Sequence, residues 1–203
     1  MKKIALFFIV FCYFITANAG NDGILAKISQ AGKQRTSIES PFAQSRTTAA
    51  KVKTSLEGTL YFKNPGQLAM IYSRPTTERV ILNGNSLHIT TNGKKANYDL
   101  GKNPTMRKLA NFLCQAMTGQ VENIATANNA NYNISDDGKN YVITLTAKKT
   151  AVQGFSKITL CYRKSDCVLV KMETIEFNKM VNNYELKSVK TNGSISKSVF
   201  EKQ

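Results

Sequence analysis

The spacing of apolar residues divides the chain into unlike stretches. Residues 4–15 are apolar almost without interruption. In residues 23–31, Ile24, Leu25 and Ile28 recur at helical spacing and predict a short helix, too short to be stable alone. The period then drops to two. Residues 56–62 and 67–73 alternate clearly across the turn Asn64-Pro65-Gly66, and residues 37–44 form a weaker candidate because Pro41 interrupts them. Residues 79–82 and 86–90 are joined at Asn83-Gly84-Asn85, and residues 90–99 fold back at Asn92-Gly93, the strongest short hairpin signal. These segments predict an antiparallel meander.

Residues 104–119 break the alternation. Met106, Leu109, Ala110, Leu113, Ala116 and Met117 return every three or four positions, Pro104 suits a helix start and Gly119 its end. Residues 125–133, rich in alanine and asparagine, read as a loop. Residues 132–135 and 140–147 then pair across Asp136-Asp137-Gly138, 155–162 pair with 167–175, and strands at 185–190 and 194–200 close the chain.

About ten strands with one helical insert predict a mainly β fold, an incomplete antiparallel barrel or curved sheet lidded by helices, because curling is the economical way to cover a large apolar face. Leu60, Phe62, Leu68, Met70 and Tyr72 alternate on neighbouring strands, and Leu109, Phe112, Leu113 and Met117 come from the helix. Periodicity does not distinguish a filled core from a ligand cavity.

The apolar start changes what belongs to this fold. Met1-Lys2-Lys3 supplies a positive beginning and Ala17-Asn18-Ala19 a small-x-small site, which is the pattern of a secretory leader cleaved after Ala19. The run falls short of the roughly 20 residues that span a bilayer. Phe11 before Cys12 disfavours lipid attachment there. The expectation is a periplasmic protein, with residues 1–19 removed and 20–203 forming a single domain.

Of the 28 Lys and Arg, two lie in the leader, which leaves a formal charge of +13 against 13 acidic residues, spread along the chain. Outside the cytoplasm such a balance favours phospholipid headgroups or acidic envelope molecules rather than nucleic acid. Three cysteines remain. Cys161 and Cys167 flank a polar hairpin tip and would face one another if the turn centred on Lys164, either as a disulfide or as two thiols. Cys114 reads as core packing.

Catalytic patterns are sparse. His88 is the one histidine, which excludes a zinc cluster of several histidines, and no glycine-rich phosphate loop occurs. The chain is read as a binder with no cofactor, no metal and no catalytic residue. An exported hydrolase using His88 and an envelope protein holding anionic polymer are the competing classes.

The stretch from Gly58 through Thr-Leu-Tyr-Phe-Lys-Asn-Pro-Gly to Pro75, followed by Val80-Ile-Leu-Asn-Gly84, resembles the periplasmic outer-membrane lipoprotein carrier family, LolA. Phe42-Ala43-Gln44, similar to that family's Phe-x-Gln, the central helix and the closing Tyr184-Glu-Leu-Lys with Gly193 and Phe200 extend the resemblance over most of the chain after the leader.

The resemblance implies an acyl cavity with Phe42, Leu68 and Met70 at family positions, and matched periodicities add Leu60, Phe62, Tyr72, Leu109, Leu113 and Met117 to its expected lining. It also implies an acylated lipoprotein or other lipid as cargo, and an inner-membrane releasing complex and an outer-membrane acceptor as partners; the chain itself is expected to be a monomer. Where the family commonly has an arginine that latches the lid, this chain has Asn64. That departure leaves room for a related carrier or sensor of another lipid or glycolipid.

Overall fold

The computed structural model describes residues 18–201, so the expected leader lies outside the described residues except for its last two positions. Helix α1 (Asn18–Gln34) leads into β1 (Ser37–Thr47), β2 (Lys53–Lys63) and β3 (Gln67–Arg74), then into β4 (Arg79–Asn83), β5 (Ser86–Thr91) and β6 (Lys94–Asp99). Helices α2 (Pro104–Thr118) and α3 (Val121–Ala127) follow. The chain returns through β7 (Ala130–Asp136), β8 (Asn140–Ala147), β9 (Phe155–Arg163), β10 (Leu169–Glu176), β11 (Val181–Leu186) and a two-residue β12 (Lys190–Thr191).

All twelve strands belong to one antiparallel sheet in the order β6-β5-β4-β3-β2-β1-β11-β10-β9-β8-β7, with β12 beside β1. The sheet curves without closing, since β6 and β7 remain its two edges. Register carries the apolar alternation across it. Ile38, Phe62, Leu68, Leu82 and Leu87 form one transverse row, and Tyr184, Met172, Leu160 and Ile143 another. These rows join the helices in one core, to which α1 gives Leu25 and Ile28 and α3 gives Val121 and Ile124.

Pro41 sits in β1, a central strand, without breaking it. Its carbonyl accepts from the Lys187 amide at 2.8 Å, beyond the end of β11 and short of β12. Where proline has no N–H to give, the Ser40 hydroxyl donates to the Lys187 carbonyl at 2.8 Å. The penalty that made residues 37–44 a weak candidate is absorbed by this gap, and the strand runs eleven residues.

The helices approach one another closely. Gly119 ends α2 in the left-handed region at φ 70°, and its neighbour Gln120 donates to the Gln115 carbonyl. A Cβ on Gly119 would lie 2.5 Å from the Ile28 side chain, and one on Gly32 would lie 2.1 Å from the Thr118 carbonyl oxygen. Both glycines therefore let α1 lie directly on the end of α2. The Tyr162 hydroxyl donates to the Ala116 carbonyl at 2.8 Å and ties the same end to the sheet.

Three expectations are corrected. Residues 125–133 are not wholly loop: α3 occupies their start, its polar Glu122, Asn123 and Thr126 having hidden a helix held by Val121 and Ile124. Residues 185–190 are not one strand, because β11 runs from Val181 to Leu186. Residues 194–200 are not a strand but end in a 3-10 turn, Lys197–Phe200, that presses Phe200 against Ala69 and Ile81 on the convex face.

The expected Cys161–Cys167 disulfide is the further correction. Register sets Lys171, not Cys167, opposite Cys161, and Cys167 turns into the left-handed region at φ 54°. Cys161 alternates outward between buried Leu160 and Tyr162, whereas Cys167 lies in the core, so the two thiols are on opposite faces. All three cysteines among the described residues are free, and burial raises each thiol's pKa, to about 11 for Cys114. Alkylation of the unfolded, non-reduced protein is expected to label all three. Two unlabelled cysteines would restore the disulfide.

Candidate functional site

The concave face is apolar by alternation, yet most of it is filled. Phe62 and Leu68 pair across β2 and β3 and are wholly buried against Ile38 and Leu82. They are core, not cavity wall. Leu60, Met70, Leu113 and Met117 do converge, together with Leu169, Lys171, Met172, Tyr184 and Leu186, but around a space of only about 10 Å³. That holds one water at most.

Beside this closed space is an open cleft of about 380 Å³ between α2 and the strands β9 to β11. Leu109, Phe112 and Leu113 reach it from the helix, Phe155 and Met172 from the sheet, and Met180 from the turn before β11. The Phe112 and Phe155 rings stand 5.0 Å apart, so the apolar wall is continuous. Leu113, Met172 and Tyr184 line both spaces and form the partition between them. Of the nine expected cavity residues, the cleft therefore takes Leu109 and Leu113, and the closed space takes Leu60, Met70, Leu113 and Met117.

The other wall is polar. Arg46, Thr174, Glu176, Asn182 and Tyr184 line it, and behind them a hydrogen-bond chain runs into the core. The Tyr72 hydroxyl donates to Gln44 Oε1 at 2.9 Å, and Gln44 Nε2 donates to Asn182 Oδ1 and to the Tyr184 hydroxyl, each at 3.0 Å. Arg46 Nε adds a bond to Asn182 Oδ1 at 3.3 Å. Burial raises both tyrosine hydroxyls above their ordinary pKa, so they remain neutral. A buried network satisfied in this way holds its members in place. Tyr72 thus stands behind the polar wall, bonded to Gln44, and lines neither space.

Phe42 explains Gly58. Its ring meets the edge of Tyr72 at 5.1 Å and sits above Gly58, where an added Cβ would come within 2.9 Å of two ring atoms and 2.3 Å of the Ile71 carbonyl oxygen. The ring supports the Tyr72 and Tyr184 side chains from below.

The polar wall escaped the sequence analysis because Gln44, Arg46 and Asn182 occupy inward positions with polar residues, which alternation reads as solvent-facing. Phe155, Met172 and Met180 were legible only as strand and turn residues.

Asn64 stands in the turn between β2 and β3. Its Nδ2 donates to the Arg35 carbonyl at 3.0 Å and to the Lys33 carbonyl at 3.2 Å, capping the end of α1. An asparagine thus fastens the helix to the sheet at the position where the resemblance implied an arginine. Asn64→Ala is expected to lower stability by about 1–2 kcal/mol and to speed amide exchange through the last turn of α1. Unchanged exchange there would show that the contact is not holding the helix.

His88 lies outside the cleft, on β5, with Nδ1 2.5 Å from Asn97 Oδ1 of β6. Neither residue is among the lining of either space.

The family described as outer membrane lipoprotein carrier protein LolA matches residues 33–203. No curated protein matches. Among solved structures, an uncharacterized conserved protein from Thermus thermophilus is similar at TM-score 0.56 and 6% identity, over 91% of this chain and 94% of that one. A LolA superfamily protein from Nitrosomonas europaea aligns at TM-score 0.44 and 12% identity, over 89% and 97%. The Mycobacterium tuberculosis lipoprotein LppX aligns at TM-score 0.44 and 13% identity, over 87% and 98%.

Proposed function

Because the chain belongs to the LolA family of outer membrane lipoprotein carrier proteins, we propose that it is a periplasmic carrier, exported by a leader cleaved after Ala19, that shelters acyl chains between α2 and the concave sheet. The observation that carries this reading is the open cleft whose apolar wall, from Leu109 to Phe155, is continuous and reaches the protein surface. Burying an acyl chain contributes about 0.8 kcal/mol per CH₂, so such a wall holds a chain through hydrophobic contact alone.

The partition suggests how the site adapts. Leu113 and Met172 have flexible, unbranched or γ-branched side chains that change rotamer readily, and their displacement joins the cleft to the space around Leu60, Met70 and Met117. An incoming chain would thereby extend toward the core. Native mass spectrometry of protein stripped of lipid and then given a fatty-acyl probe tests the proposal. A stable adduct is expected, and failure to form one at saturating probe would remove it.

A second reading, a carrier or sensor of another lipid or glycolipid, is favoured by the polar wall. Arg46, Asn182 and Tyr184 offer donors beside the apolar wall, which suits a lipid whose polar group enters the cleft with its chain. The same probe series, run with free fatty acid, lysophospholipid and acylated peptide, ranks the two. Loading and release partners are proposed only as counterparts of those implied for the family, an inner-membrane donor complex and an outer-membrane acceptor.

The hydrolase alternative has a simple discriminator. His88→Ala is expected to leave acyl binding unchanged within about twofold, since surface substitutions away from a site have small effects. Loss of an esterase activity in this variant, with the fold intact, would favour the enzyme.

A further inference from the structure

Among the described residues three large apolar side chains are exposed, and all three stand around one end of the sheet. Leu109 lines the cleft, while Val52 and Val152, 60% and 94% exposed, stand on hairpin turns beside it. Because β2, β1, β11, β10, β9 and β8 are consecutive neighbours, the turns at residues 48–52, 177–180 and 148–154 follow one another along a single edge. Arg46, Phe155, Glu176 and Met180 of the cleft sit at or near the bases of these turns.

The same turns are basic. They carry Lys51, Lys148, Lys149 and Lys179, all exposed, with Lys53 just inside β2, as against the half-buried Glu176 at the end of β10. Single exposed apolar residues are ordinary on any surface. Their confinement to one lysine-bearing edge is not. We infer that this edge docks the protein on an anionic phospholipid surface, with Val52 and Val152 entering the headgroup layer and the lysines meeting lipid phosphates.

The geometry favours a bilayer over an acidic protein. Strand spacing puts the Val52 and Val152 turns about 19 Å apart, with exposed Asn178 and Lys179 on the turn between them, so the two valines form no continuous apolar patch such as a protein interface core requires. Lysine is also depleted from such cores. A bilayer needs no matching surface: separate apolar tips enter it independently, and basic side chains add attraction to anionic headgroups. Docking in this orientation turns the cleft mouth toward the acyl layer.

Sedimentation of the purified protein with vesicles of equimolar phosphatidylglycerol and phosphatidylcholine, and with pure phosphatidylcholine vesicles, tests the inference. Partition onto the anionic vesicles is expected, weakening as salt rises, with little onto the zwitterionic ones. The double variant Val52→Asp, Val152→Asp should partition at least about tenfold less. The triple variant Lys148→Gln, Lys149→Gln, Lys179→Gln should partition less and lose much of its salt dependence. Lys102→Gln with Lys139→Gln, at the opposite end of the sheet, is the charge control and should change partition less than about twofold.

Several results overturn the inference. Equal loss in the control would reduce the effect to net charge, and full partition of the valine variant would remove insertion. Binding of an acidic envelope protein without vesicle partition would replace the bilayer by that partner. Vesicle binding requires no acyl cargo, so its failure leaves the probe adduct of the cleft standing, and the converse holds.

Discussion

Replacing Gly58 by alanine is expected to destabilise the protein by about 3 kcal/mol, the upper part of the range for forcing extra volume into a filled interior. The new methyl would stand 2.3 Å from the Ile71 carbonyl oxygen and 2.9 Å from the Phe42 ring, and neither obstacle can withdraw freely. The carbonyl is part of the β2–β3 pairing, while the ring is wedged against Tyr72 and is only 2% exposed. A urea midpoint lowered at constant slope would report this loss. Phe42→Leu as a second substitution should recover part of it, by clearing the ring but not the carbonyl. A Gly58→Ala protein as stable as the parent would show that the bulge beside Glu57 relaxes and that the close approach is dispensable.

Leu109→Asp is expected to weaken binding of a fatty-acyl probe at least tenfold, about 1.4 kcal/mol, while shifting folding stability by about 0.5 kcal/mol or less. Leu109 is 37% exposed and lines the open cleft, so its charge stays hydrated in the empty protein and is stripped of water only when a chain lies against it. Unchanged probe affinity would place the chain elsewhere. Met70→Asp, which alternation alone would recommend as the binding lesion, is expected instead to unfold the protein. Met70 is 5% exposed in the main core, where a carboxylate would be stripped of water. A circular-dichroism melt separates the two variants before any binding is measured.

These variants differ because alternation assigns a face, not a depth. Leu60, Phe62, Leu68, Met70 and Tyr72 were placed together on the concave side by their period, and they are there. Which of them border empty space depends on how far α2 settles onto the sheet. The Tyr162 hydroxyl ties the end of α2 to the sheet, and Gly32 and Gly119 let α1 lie directly on that same end.

The local code determined much of this protein without help. Asn92-Gly93, with φ of 49° and 75°, makes the tight hairpin its residue types demand, and Gly84 at φ 59° does the same between β4 and β5. Pro104, Asn103 and Gly119 bound α2 as proline starts, side-chain caps and left-handed glycines do, with Asn103 Oδ1 accepting from the Met106 amide at 3.1 Å. The curved antiparallel sheet under helices and the family likeness follow from such signals in order, because each acts over a few residues.

Tertiary structure alone decided the rest. Pro41 lies in a central strand because β11 and β12, distant in sequence, leave a gap beside it. Cys161 and Cys167 face apart because the chain turns at residues 164–166 and the ladder resumes at Tyr162 opposite Leu169, which leaves Cys167 outside the strands and puts Lys171 opposite Cys161. Gln44, Arg46 and Asn182 form a wall of the cleft because strands far apart in sequence meet, and their inward polar groups are stable only when they satisfy one another. Period and turn chemistry report what a residue's neighbours in sequence allow. The depth of a cleft and the partner of a buried polar group are set by residues that only the folded sheet brings close.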